Sequence, residues 1–294
     1  MQRSDAVAEL STLHHPECVP LLLQALKDSS VNVRNRAAWS LQNFRDPRIA
    51  PALRALLNDE DDRVRASAVW SLSHVDGKAV LGDVVRLART DASGNVRFRA
   101  VWGLALIKDK SALPVVVEAL GDYNTSVRER AALIALEALA DNTIASRVLT
   151  QTNNVLPATR RVVMYLLARY GNESVVPALQ NGLKDSDALV RGEAALSLGK
   201  LHTRKGEPAL IAALSDPDEH VRGASAYAIG LIADKSAMTA LRRLLNDETA
   251  VVRAIAAESL QRLGDETVSP PEGFKAVDLY TFPIYSPEHK KLYE

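Results

Sequence analysis

The sequence predicts an all-α fold, a right-handed α-solenoid of stacked antiparallel helix hairpins that ends in an extended C-terminal arm. Three observations carry this prediction. An aspartate stands six residues before an arginine at Asp28/Arg34, Asp59/Arg65, Asp91/Arg97, Asp122/Arg128, Asp185/Arg191, Asp216/Arg222 and Asp247/Arg253, and successive registers recur after 31 or 32 residues. One further register, between Arg128 and Arg191, reads as Asn153 and Thr159. Between the pairs the apolar residues follow helical spacing, and no alternating strand pattern competes. A fixed period of this length marks stacked copies of one small unit rather than a single globular core.

One unit shows how each element arises. In residues 47–75, Pro47 opens a helix, where its missing N–H costs nothing. Ile49, Leu53, Leu56 and Leu57 then follow at helical spacing. Asn58-Asp59-Glu60-Asp61 interrupts with residues that favour turns and helix N-caps. A second helix follows with Val64, Ala68, Leu72 and Val75 on one face. Aligning all copies on the arginine places second helices near residues 32–44, 62–75, 94–107, 125–139, 156–170, 188–201, 219–232 and 250–263. A leading helix precedes them, because Arg3, Leu10, Leu13 and Pro16 stand 31 residues before Arg34, Leu41, Phe44 and Pro47. The chain is thus read as one leading helix plus eight hairpins over residues 1–265, followed by an arm over 266–294.

Composition narrows the function classes. Hydrophobic residues make up 47% and charged residues 24%, and 36 Lys+Arg balance 36 Asp+Glu. A neutral chain of this kind argues against a general nucleic-acid or membrane-surface binder. With Cys18 the only cysteine, no intramolecular disulfide can form. No apolar run approaches the roughly 20 residues needed to span a bilayer, and the first residues lack the apolar core of a signal peptide. A reducing, cytoplasmic setting is the expectation.

The motif Val-Arg-x-x-Ala-Ala-x-x-Leu, followed by an aspartate, an apolar helix and Leu-x-Asp, resembles the HEAT-repeat family. It is most similar to the short class typified by phycobilisome-lyase HEAT-like repeats, and residues 3–265 carry it. The resemblance implies stacked helix hairpins and, through that class, a lyase-like or chaperone-like role toward a cofactor- or chromophore-bearing protein. Deoxyhypusine hydroxylases are HEAT-like enzymes that hold iron with repeated His-Glu pairs. This chain has no His-Glu dipeptide, and Glu219-His220 carries the reversed order, which sets it apart from them.

The Asp/Arg pairs read as scaffold. The aspartate falls in the turn, where it can cap helix N–H groups and suit the helix dipole. The arginine falls in the first turn of the second helix, from which it can bridge to its own or a neighbouring turn and build a ladder between layers. A different stripe reads as function. The apolar positions of the second helix stand at −1, +3, +7 and +10 from the arginine, which leaves +5 about 155° from the centre of that arc. Position +5 holds Trp39, Trp70 and Trp102, then Leu133, Met164, Leu196 and Tyr227, with Glu258 last. Phe98 at +1 and Leu136 and Leu167 at +8 flank this row, and Arg36, Arg99, Arg130 and Arg161, joined by Arg160, border it. Contiguous exposed apolar surface marks an interaction site, and tryptophan is enriched among hot spots. The expectation is a concave aromatic and arginine groove for a protein or peptide segment with acidic and apolar residues.

Four of the 13 prolines fall in residues 266–294, which rules out another hairpin. Phe274, Tyr280, Phe282 and Tyr285 are too dense for a simple linker, so the arm is expected to pack against something and to serve assembly. No phosphate loop, Gly-x-Ser-x-Gly or Cys/His nucleophile pairing appears. His14, His15 and Cys18 make a weak metal set, so neither a metal nor a cofactor is expected. These features point to a non-catalytic scaffold or adaptor, a subunit of a larger complex. The lyase-like role and a DNA-binding HEAT-like protein are the alternatives.

Overall fold

The computed structural model describes residues 2–13 and 15–276, apart from the side chains of residues 2, 129–131 and 135. All regular structure among the described residues is helical, in seventeen α-helices joined by short 3₁₀ turns, with no strand. The chain divides into two compact units, residues 1–141 and 142–294, so the composition shift at 265/266 falls inside the second unit.

In the first unit α1 (Gln2–Leu13) stands alone. It is followed by the hairpins α2 (Cys18–Ala25) with α3 (Val31–Ser40), α4 (Ile49–Ala55) with α5 (Asp62–Val75), and α6 (Leu81–Thr90) with α7 (Gly94–Ile107). The last hairpin pairs α8 (Leu113–Ala119) with α9 (Ala132–Leu139), which a π-helical turn at Ser126–Ala131 introduces. The second helices pack side by side, α1 on α3, α3 on α5, α5 on α7 and α7 on α9. Their small and branched residues, such as Ala37, Val64, Ala68, Leu72, Ala100 and Leu104, are fully buried between the layers.

The second unit repeats the plan with α10 (Ile144–Val148) and α11 (Pro157–Tyr170), α12 (Val176–Gly182) and α13 (Ala188–Lys200). It continues with α14 (Glu207–Ala213) and α15 (Glu219–Ile232), then α16 (Met238–Arg243) and α17 (Ala250–Arg262). Here the second-helix layer is tightened by glycine. A Cβ on Gly199 would stand 2.6 Å from the Ala228 Cα, so α13 and α15 approach at backbone distance. Gly264, at φ +90°, ends α17 in the left-handed conformation that closes many helices.

The aspartates do not cap the helices themselves. Each accepts the backbone N–H two residues on, as Asp28 does from Ser30 at 2.8 Å and Asp247 from Thr249 at 2.9 Å. Outside the Asp122 copy, where Thr125 is the N-cap, that next-but-one residue is the actual N-cap, as Asp187 and Asp218 show by accepting N–H groups of the first turn. The aspartate therefore shapes the turn that delivers the cap, an Asx turn in the sense of local side-chain bonding.

The arginines form the expected ladder, and each joins two turns. Nη1 of Arg34 donates to the Asp28 carbonyl at 3.0 Å, while Nε and Nη2 fork onto the Asp59 carboxylate at 2.8 and 3.0 Å. Arg65 to Asp91 and Arg97 to Asp122 repeat this in the first unit. Arg191 to Asp216 and Arg222 to Asp247 repeat it in the second. Arg3 gives Asp28 a single exposed bond, and Arg128 and Arg253 hold the carbonyls of Asp122 and Asp247.

The remaining register is corrected by one residue. Asn154, not Asn153, accepts the N–H two residues on, and Arg160, not Thr159, holds the Asn154 carbonyl at 2.8 Å and forks onto Asp185 at 2.7 Å. Thr159 is fully buried instead. Arg160 is thus a ladder residue rather than part of the bordering arginine stripe. The interval from the turn residue to its arginine is then six in every copy, and the 32-residue spacings take their extra residue between Arg65 and Asp91 and between Arg128 and Asn154.

Charge-assisted bidentate pairs of this burial are the strong class of hydrogen bond. Arg222 and Asp247 have side chains 9% and 6% exposed. Replacing Arg222 by alanine is expected to cost about 2–3 kcal/mol in denaturant unfolding. Asp247→Asn keeps the Asx turn and should cost less. The forked bonds from Arg222 hold the Asp247 carboxyl below its ordinary range. A depressed pKa contributes stability that is complete above the unfolded value and is lost as pH falls through the folded one. The gap between wild type and Asp247→Asn should therefore close in acid; a gap independent of pH would contradict the assignment.

Candidate functional site

The ladder fixes the second helices in register, and in the first unit this brings the three tryptophans together. Trp39 on α3 stacks on Trp70 of α5 with ring centroids 6.1 Å apart and planes 7° apart. Trp70 meets Trp102 of α7 edge to face at 5.2 Å, and Phe98 meets Trp102 in the same way at 5.4 Å. Pairs of this geometry contribute about 0.5–1.5 kcal/mol each beyond their burial. The row therefore serves the stacking of helices as well as presenting a surface. Trp39 is the most open of the three, at 40% exposure, and Trp70, Trp102 and Phe98 are half-buried.

Polar groups orient the rings. The Trp70 indole N–H donates to the Gln42 carboxamide oxygen at 3.0 Å, one repeat back. His74 sits against Trp70 at 4.6 Å with its Nδ1 3.0 Å from the Trp70 carbonyl. The Arg99 guanidinium lies over Trp39 at 5.2 Å, Trp70 at 5.3 Å and Phe98 at 5.8 Å. Burial among these rings pushes its pKa below the usual arginine value. His74, four residues from Trp70 on one helix face, was within reach of the sequence pattern. Gln42 lies in the 3₁₀ turn Leu41–Asn43 after α3, at the +8 position that Leu136 holds in another copy.

Past α7 the expected outward stripe turns inward. Leu133 is 3% exposed, Leu136 1%, Met164 2%, Leu196 5% and Tyr227 8%, and Leu167 is fully buried, so these residues pack rather than present a surface. For Met164 the corrected register is the cause. With Arg160 as the ladder residue, position +5 is Tyr165, while Met164 rotates against Gly182, where a Cβ would stand 2.6 Å from its sulfur. Tyr165, which the pattern missed, is half-buried, with Lys200 Nζ 5.4 Å from its ring centre and its hydroxyl accepting from Arg169 at 3.1 Å. Tyr227 is covered by the Arg262 guanidinium at 5.2 Å.

Of the bordering arginines, Arg36 donates to the Ser4 carbonyl at 3.3 Å and lies 3.9 Å from Asp5. Arg161 belongs to the second unit, where its charge reaches Glu193 and His220, and the side chain of Arg130 lies outside the described residues. At the end of the array the Ala276 N–H donates to Glu258 at 2.7 Å, and Phe274 is half-buried nearby in sequence. The one charged residue at position +5 thus fastens the start of the arm onto α17. Tyr280, Phe282 and Tyr285 lie outside the described residues.

The second unit holds a buried acid that sequence reasoning passed over. Glu193, two residues after Arg191 on α13, is 4% exposed, and its Oε1 accepts no hydrogen bond among the described residues. The signal was present, since it occupies the position that Arg36 and Arg99 hold in the first unit. Burial raises its pKa against the opposing charges of Lys200 and Arg161. The His220 ring lies over Gly192, where a Cβ would come within 2.6 Å of it, and burial lowers its pKa. No group of three His, Cys, Asp or Glu side chains suited to a metal occurs among the described residues.

A raised carboxyl pKa contributes stability that is present below the unfolded value and is lost as pH rises through the folded one. Glu193→Gln is therefore expected to raise the unfolding midpoint at neutral and alkaline pH and to leave it nearly unchanged in acid. An equal effect at every pH would contradict an isolated buried acid.

The HEAT repeats family profile matches residues 2–73, 82–152, 146–207 and 207–271. Comparison with curated proteins returns no match. Among solved structures, the karyopherin Kap121p, bound to the extreme C-terminus of the protein phosphatase Cdc14p, is similar with a TM-score of 0.65 at 14% identity. That likeness covers 89% of this chain and 36% of the karyopherin. The YibA protein of Escherichia coli is similar with a TM-score of 0.53 at 20% identity, covering 89% of this chain and 97% of that one. The complex of CpcE and CpcF of phycocyanin lyase from Nostoc sp. PCC7120 aligns at 19% identity over 89% of this chain and 92% of that one, with a TM-score of 0.39. No helix among the described residues is long and apolar enough to cross a membrane. With its hairpin stacks and a family match along most of its length, the chain belongs to the HEAT-repeat family.

Proposed function

We propose that this chain is a non-catalytic scaffold or adaptor that receives a segment of another protein across Trp39, Trp70, Trp102 and Phe98, as a subunit of a larger complex. One observation carries the reading. All the tryptophans of the chain stand side by side on three consecutive second helices, and the leading one is 40% exposed. A helix hairpin satisfies its core with alanine, valine and leucine, as the other repeats do. Large aromatics at the outer position add surface that a partner can cover, and tryptophan is the residue most enriched where such contacts carry binding energy.

Spacing favours an extended segment. Ring centroids follow one another at 6.1 and 5.2 Å. Side chains on one face of an extended chain recur at about 6.6 Å, so one partner side chain can meet each repeat. The groove expected to run along the whole array is accordingly narrowed to α3, α5 and α7, because the same position is buried in Leu133, Leu196 and Tyr227.

Two variants test the reading, compared with wild type for folding by circular dichroism and for partner recovery by affinity capture. Trp39→Ala removes the most exposed ring with least effect on packing. The triple alanine variant at 39, 70 and 102 removes the face. Loss of the recovered partner by tenfold or more is expected for the triple variant, with an intermediate loss for Trp39→Ala. A triple variant that folds and recovers the same partner at the same level would sink the proposal.

A further inference from the structure

We infer that Arg99 reads one carboxylate of the docked segment, so that the occupant of the tryptophan face is an extended acidic peptide. The inference rests on the reading of that face as a docking site and adds the chemistry of what it accepts.

Of the arginines bordering the row, Arg36 is tied to the Ser4 carbonyl beside Asp5. Arg99 differs. Among the described residues it donates no hydrogen bond and forms no ion pair, and its guanidinium lies instead over the faces of Trp39, Trp70 and Phe98. Ring faces attract the positive charge, but they leave the five N–H donors of the fork without an acceptor of matching geometry. A carboxylate takes two of those N–H groups side by side. The rings exclude water from one side of that contact, which strengthens it relative to an exposed pair. Half-buried placement therefore makes Arg99 a charge awaiting an opposite charge on the open side.

Fork geometry and charge balance choose among anions. A nucleic-acid strand presents a phosphate at every nucleotide and is met by a track of basic residues. A phosphorylated side chain is met by arginine clusters. The planar Arg99 fork over the rings matches the two oxygens of one carboxylate, and a chain with 36 Lys+Arg against 36 Asp+Glu offers a strand of phosphates no excess of positive charge. The flanking rings match an apolar or aromatic side chain on either side of it.

The experiment is selection of a phage-displayed random dodecapeptide library on the whole chain, with the triple tryptophan variant as counter-selection. Selected peptides are then measured by the intrinsic tryptophan fluorescence, which reports this face alone because it holds every tryptophan. Enrichment of Asp or Glu next to an apolar residue is expected. Arg99→Gln should weaken those peptides by about tenfold or more, and Arg99→Lys, which keeps the charge without the fork, by less. A cooperative melt for both variants excludes loss of fold, and the lysine variant alone carries the comparison if the glutamine variant does not fold. Selected peptides without acidic preference that bind Arg99→Gln equally well overturn the inference and leave the docking face standing. Failure of any peptide to distinguish wild type from the triple tryptophan variant overturns both. Arg99-dependent quenching by oligothymidylate at physiological salt overturns the peptide assignment in favour of a nucleic acid.

Discussion

Everything in this chain hangs on one forked bond, an arginine that clasps the turn of its own repeat with Nη1 and the aspartate of the next with Nε and Nη2. Because the same guanidinium is a capping group and a bridge, neither the turn nor the spacing between turns can vary freely. The constancy shows in the numbers. Turn residue and arginine are six apart in every copy, whereas the step from arginine to the following turn residue is 25 or 26. The first interval lies inside the clasp and is rigid. The second spans a helix and a loop, where one extra residue can be absorbed. Exposed ion pairs contribute little, but these are forked, mostly shielded and joined to backbone carbonyls, which makes them a frame rather than surface ornament.

A frame of this kind turns a sequence position into a place in space. Where successive second helices of one unit start at the same point, residues five after their arginines become neighbours even though 31 or 32 residues separate them in the chain. Trp39, Trp70 and Trp102 form a row for that reason. The same rule places Arg99 over the row and Glu193 at the equivalent point of the second unit. One position thus carries a half-buried cation in the first unit and a buried acid in the second. The repeat supplies equivalent sites, and the side chains make them different.

Much of the fold was legible because repetition multiplies weak local signals. The boundaries of the second helices follow from one aligned arginine, and the ladder follows from its partner. What the sequence could not display was rotation. The position five residues on is open at Trp39 and half-buried at Trp70 and Trp102, whereas Leu133, Leu196 and Tyr227 at the same register are buried. The Asn153/Thr159 assignment failed for a related reason. A 31-residue step lands on Thr159, but Arg160 alone can make the forked bond, and chemistry overrides spacing by one residue. The aspartate role was legible in kind and not in detail, since a turn-shaping carboxylate and a capping carboxylate have the same composition. Glu193 was visible as a residue but not as a buried one, because burial depends on what the neighbouring helices bring to it.

The most direct test of the central claim places a photo-crosslinking residue at position 39 and, as a control, at Leu21, which is 52% exposed on α2 away from the tryptophan row in sequence. Crosslinked fragments are then mapped by mass spectrometry in the cells that make this protein. The account predicts that position 39 captures one short segment of a partner, with an acidic residue in it, and that position 21 does not capture that segment. The same products from both positions, or from position 39 only fragments of this chain's own first unit, would contradict it.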